Sequence, residues 1–165
     1  MLKSLLILCS LFAMNLAIGS AQATVLVEPP NLRGPRTLPE QTGKAAIRDY
    51  LQSWQNLSAA LEQNRADLLD PAFVGTARDK LTETILQQTA LGIHTHYQDR
   101  AHDIQIVFYS PEGLSIELTD DVAYDLQIVD HGKVKTIQHM SARYVIVLTP
   151  AEVRWRVRVF QAALN

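Results

Sequence analysis

Apolar positions in this chain recur first every three to four residues and later every second residue, and the change of period divides it into two halves. From Lys44 to Gln63, Ile47, Tyr50, Leu51, Trp54, Ser58 and Leu61 fall on one stripe, which predicts an amphipathic helix with Thr42 as its cap. Asn64 to Asp70 reads as a short turn or half-helix, halted by Pro71. Thr76 to Leu91 reads as the next helix, with Leu81, Ile85 and Leu91 on its apolar side. Thr76 and Asp79 resemble a capping box, and Gly92 is placed to end the helix.

The period then becomes two. Ile93 to Tyr109 is predicted as a first strand, broken near Gln98 to His102, and Ser110-Pro111-Glu112-Gly113 as a hairpin turn. In the second strand Leu114, Ile116, Leu118, Val122, Tyr124, Leu126 and Ile128 share one face, and Ser115, Glu117, Thr119, Asp121, Asp125 and Gln127 share the other. Asp120 interrupts the apolar face and marks a bulge or a bend. Asp130-His131-Gly132-Lys133 is the next turn, Val134 to Thr149 the third strand, and Thr149 to Glu152 the last turn. In the fourth strand Val153, Trp155, Val157 and Val159 face one way, and Arg154, Arg156 and Arg158 the other. Helices followed by four strands on short turns specify an α+β domain, with N-terminal helices packed against a curved four-stranded antiparallel meander.

Ahead of this domain, Met1-Leu2-Lys3 gives a positive start, Ser4 to Ile18 an apolar run, and Gly19 to Ala23 a small-residue ending of the Ala-x-Ala type. That is the form of a secretory signal peptide with cleavage after Ala23, and the run is shorter than the roughly 20 residues a membrane span needs. A secreted or periplasmic protein is expected, with no integral membrane segment in the mature chain. Thr24 to Gly43 holds Pro29, Pro30, Pro35 and Pro39 and reads as an extended tether, leaving residues 44–165 as the one domain. Cys9, the only cysteine, lies in the leader, so the mature chain has no disulfide, thiolate metal site or cysteine nucleophile. Removing the leader removes Lys3 and no acid, so the formal charge moves from −2 to −3. A weakly acidic chain gives no electrostatic case for nucleic acid.

The order and spacing of these elements resemble the nuclear transport factor 2-like superfamily, which includes ketosteroid isomerase and polyketide cyclase-like proteins. The resemblance covers Lys44 to about Phe160 and rests on a long first helix, Asp70-Pro71-Ala72-Phe73 after a short helix, another helix, and hairpins ending in Arg154-Trp155-Arg156-Val157. A fainter similarity, through the Trp-bearing first helix and Ala142 to Val147, is to the intermembrane-space domain of chloroplast-division proteins. The resemblance implies a sheet bent into a cone over the helices, whose mouth binds small molecules, substrates or nothing. It also implies dimerisation through the open sheet face, for which Val145 and Val147 are suited.

Three groups of residues carry candidate chemistry. His94 and His96 project to one strand face and could share a metal, with His102 or Asp103 as a third ligand; the plainer reading is polar residues at a sheet entrance. Tyr50, His96, Asp99 and Tyr124 could form an acid–base pocket, with Asp99 or Asp103 as base and Tyr50 as donor, although aromatic residues on apolar faces usually pack. Arg154, Arg156 and Arg158 could grip an anionic partner, or simply form a solvated face. No Gly-rich phosphate loop, Gly-x-Ser-x-Gly elbow or His-Glu-x-x-His is present, so ATP use, α/β-hydrolase chemistry and zincin proteolysis have no support. The leading expectation is a binding protein without catalysis or cofactor. It would hold a small apolar ligand in a pocket of Tyr50, Trp54, His96, Tyr109 and Tyr124, or a protein partner, as a homodimer. The alternative is a small lyase or isomerase working through His96 and Asp99.

Overall fold

A computed structural model of the chain describes residues 23–163. The leader expected over residues 1–23 lies outside them except for Ala23. The elements are β1 (Thr24–Val27), α1 (Glu40–Gln63), a 3-10 helix (Ala66–Leu69), α2 (Gly75–Ala90), β2 (Ile93–Tyr109), β3 (Ile116–Asp130), β4 (Lys133–Pro150) and β5 (Trp155–Ala162). One sheet runs in the order β1-β2-β3-β4-β5 and stays open. The expected four-stranded meander forms β2 to β5, and β1 adds a fifth strand parallel to β2. No helix among the described residues is long and apolar enough to cross a membrane.

The core lies between α1 and one face of the sheet. Tyr50, Trp54, Leu57 and Leu61 of α1 meet Ile104 and Ile106 of β2, Leu118 and Val122 of β3, Ile146 and Leu148 of β4, and Val157 of β5, all buried. Each large apolar side chain so buried is worth about 1.5–3 kcal/mol. The helical stripe is therefore what fixes α1 over the sheet.

The Pro-rich stretch departs from the expected tether. It is extended, but it lies along the sheet: β1 pairs with Ala101 to Ile104, and the N–H groups of Glu28, Asn31 and Arg33 donate to the carbonyls of Ile104, Ile106 and Val107. Leu32 and Leu38 pack against the core. The prolines are compatible with this because an edge segment needs only some of its donors. The tether reading took proline as a mark of solvated chain, and the edge of β2 offered it partners.

Both helices start earlier than their apolar periodicity predicts. α1 begins at Glu40 with Pro39 as N-cap, so Thr42 lies inside the first turn. A Cβ at Gly43 would stand 3.1 Å from the Leu38 side chain, so glycine lets Leu38 pack closely against this turn. α2 begins after Val74 without a side-chain cap, and the Thr76 hydroxyl donates to the Arg158 carbonyl at 3.1 Å instead of capping. The cause is tertiary: the Val74 N–H donates to Val157 O, and the Val157 N–H to Ala72 O, so this segment covers the outer edge of β5.

Four register shifts interrupt the ladders, leaving Arg100 and Val107 extra in β2, Lys135 in β4 and Arg158 in β5, and they control which side chains face inward. The break expected in the first strand is a register shift between Asp99 and Ala101, which leaves Arg100 extra. Another shift places Arg158 extra in β5. Beyond it Phe160 pairs with Ile146 on the core side, and Val159 pairs with Val147 outside, which corrects the single-face reading of Val153 to Val159. Val153 and Leu114 sit in turns and are exposed. Asp120 makes neither bulge nor bend. It keeps regular register with Ile104 and Tyr144 and is fully buried.

Candidate functional site

Asp120 gathers the interior polar groups because β3 points it inward and β2 and α1 supply its donors. Its Oδ2 accepts from the Tyr50 hydroxyl at 2.7 Å and contacts His102 Nδ1 at 2.7 Å, and its Oδ1 accepts the Asp103 N–H at 3.1 Å. His102 Nε2 faces Asp99 Oδ2 at 3.8 Å, longer than a hydrogen bond. The bulge at Arg100 brings Asp99 and His102 to the same side of β2. The His102 ring meets Trp54 edge-on, with centroids 5.4 Å apart.

Burial works against charging His102, but the hydrogen bond to Asp120 and the nearby Asp99 carboxylate outweigh it and lift its pKa to about 9. At neutral pH an imidazolium is thus held against two carboxylates. Burial, together with the Asp120 charge, pushes Tyr50 well above the usual phenol value, so it stays a donor. Burial also raises Tyr97 and Tyr144, with Tyr124 adding to it in both.

Around this network the interior is filled with rings. Trp54 touches Tyr97, Tyr124, Tyr144 and Phe160 at centroid distances of 5.3–6.4 Å. The Tyr124 and Tyr144 hydroxyls are 3.4 Å apart. Asp99 Oδ1 and Trp54 Nε1 are buried without a hydrogen-bond partner.

The expected pocket residues therefore divide. Tyr50, Trp54, Tyr109 and Tyr124 are buried side chains of the core. His96 is not with them; its side chain is 40% exposed and pairs with Glu62 at 3.4 Å. Tyr50 and Asp99 do approach one network, through His102. Asp103 contributes its backbone N–H there, not its carboxylate. Among the described residues no group of three or more His, Cys, Asp or Glu side chains comes together for a metal, so His94 and His96 gain no third ligand. Sequence reasoning missed Asp120 as the hub. The available signal was a lone carboxylate on an apolar strand face, which requires buried partners.

The three arginines do not form one stripe. Arg154 lies in the β4–β5 turn, Arg158 occupies the bulge, and Arg156 donates from Nη1 to the Asp70 carbonyl at 3.1 Å. Grooves open on the outside of the domain. One of about 620 Å³, lined by Val27, Ile47 and Leu51, runs beside α1. Two more flank the β4–β5 turn, with volumes of about 470 and 530 Å³.

No protein-family model matches the chain. No curated protein matches it either. Solved structures do. The intermembrane space region of the chloroplast protein ARC6 superposes with a TM-score of 0.64 at 10% identity, covering 79% of this chain and all of that one. A scytalone dehydratase-like protein from Novosphingobium aromaticivorans gives 0.52 at 14% identity, covering 76% and 89%. ActVI-ORFA from Streptomyces coelicolor gives 0.50 at 14% identity, covering 70% and 95%. The fold is nuclear transport factor 2-like. At these identities the likeness establishes architecture alone, and a nuclear transport factor 2-like cone hosts more than one function.

Proposed function

We propose that this is an exported nuclear transport factor 2-like domain that binds a protein partner on its outer surface and uses the cone interior as core rather than as a catalytic pocket. The observation that carries this reading is the state of Asp120. It is fully buried, and three donors from α1 and β2 occupy its oxygens. A general base needs a free lone pair within reach of a substrate proton, and three of the roughly four acceptor positions of this buried carboxylate are taken. Trp54 packs edge-on against the His102 ring and against Tyr124 and Phe160, which makes this interior a cluster of aromatic rings. The open grooves lie outside, along α1 and the β4–β5 turn.

A second reading keeps one supporting observation. Asp99 Oδ1 and Trp54 Nε1 are unsatisfied polar atoms beside a charged histidine, a set that a small lyase or isomerase could use on a bound carbonyl compound. Native mass spectrometry of the protein isolated from its own compartment separates the two. The expected result is a chain free of small molecules that carries a protein partner. A stoichiometric small molecule, released when Trp54→Phe is introduced, would overturn the binding reading in favour of the enzyme.

A further inference from the structure

Resting on that binding reading, we infer that the β4–β5 turn and its two flanking grooves form a docking site for an acidic, extended peptide segment of a protein partner. Arg154 and Val153 line both grooves, so one ligand crossing the turn would touch both. Arg48 lines the first groove and Arg156 the second. The acids nearby are largely committed. Asp49 pairs with Arg48 and accepts the Trp155 N–H at 2.8 Å, and Asp70 pairs with Arg78 at 2.6 Å. Glu152 is the remaining acid on the groove. Among the described residues neither Arg154 nor Arg156 has a carboxylate partner.

Arg156 identifies the ligand chemistry. Its Nη1 is spent on the Asp70 carbonyl, which fixes the guanidinium plane. Its Nε is buried and has no acceptor. A buried donor left unmade costs about 1–3 kcal/mol, and an incoming acceptor that reaches it through a small shift of the side chain recovers that cost. The Nε side of a guanidinium presents two parallel N–H groups, and a planar carboxylate matches them both. Pro71 and Pro150 form stiff groove walls, and Val153, 82% exposed at the tip, offers an apolar contact between two charged ones. Two grooves on either side of a protruding turn suit an extended chain better than a compact small molecule.

The test is an NMR titration of the ¹⁵N-labelled protein with a ten-residue peptide of alternating Glu and Ala, using a Lys/Ala peptide and inorganic phosphate as controls. The Arg156 Hε and the amides of Val153 and Arg154 are expected to move saturably with the acidic peptide and not with the controls. Arg154→Ala, at an exposed turn position, is expected to weaken binding about tenfold with an unchanged unfolding midpoint, and Arg156→Lys to weaken it through loss of the two-pronged contact. An absence of shifts at millimolar peptide overturns the proposal. So does binding undiminished by Arg154→Ala, or an equal response to phosphate. If a protein partner still accompanies the natively isolated chain in those cases, the groove assignment fails and the binding reading stands.

Discussion

The sheet carries a histidine–aspartate pair on each of its faces, and the two pairs differ in almost everything except chemistry. On the inner face His102 Nδ1 lies 2.7 Å from Asp120, and both side chains are buried. On the outer face His139 Nδ1 lies 2.6 Å from Asp125, but the His139 side chain is 83% exposed. Asp125 also receives Arg100, the residue that the β2 bulge turns outward, and Arg100 first and His139 second hold its carboxyl below the usual range. Distance alone would rank the pairs as equals. Burial of the histidine separates them: inside, neither partner can fall back on water if the other is lost, whereas outside His139 can, and Asp125, whose side chain is only 9% exposed, keeps Arg100 as a partner.

The largest expected effect breaks the inner pair. Asp120→Asn leaves the His102 imidazole without its anion and should lower unfolding free energy by about 3–5 kcal/mol, read by urea denaturation at pH 7. A loss under about 1 kcal/mol would put the inner pair on the same footing as the outer one. The next effect is its pH dependence. Because the folded pKa of His102, about 9, lies above the ordinary 6.5, its contribution is complete below pH 6.5 and disappears as pH rises through 9. The fall should be on the order of 3 kcal/mol between those limits, and His102→Gln should flatten it. Tyr50→Phe removes one donor from Asp120 and should cost about 1.5–3 kcal/mol without changing that pH window. The smallest effect lies outside: His139→Ala should change stability by less than about 1 kcal/mol, and salt should erase most of it. An outer variant as damaging as the inner ones would refute burial as the deciding factor.

The same contrast explains what could be read from the chain. Local patterns located both helices and the four hairpin strands, because those depend on neighbours three, four or two residues away. Asp120 stood out in its strand, and Tyr50 and His102 were singled out separately. What joined them was the register of β3 on β2 and the placement of α1, contacts between residues far apart in the sequence. Single-residue bulges at Arg100 and again at Val107 in β2, and at Arg158 in β5, switch which side chains face inward beyond each of them, which a fixed period of two cannot anticipate. The N-terminal strand was missed for a related reason. Its prolines look like solvated chain until an unoccupied strand edge is known to lie beside them.

That strand has a kinetic consequence. Thr24 pairs with Ala101, so a segment that lies ahead of both helices in the chain finds its place only after they and β2 exist. The entropy of closing such a long loop must be met before its few hydrogen bonds return anything, which makes β1 a late arrival in folding. Val25, Leu26 and Val27 keep exposed side chains even when paired, so what docking hides from proteases is their backbone. The time a nascent chain spends in that half-zipped state, more than the stability of the finished sheet, sets how long this end of the molecule needs protection.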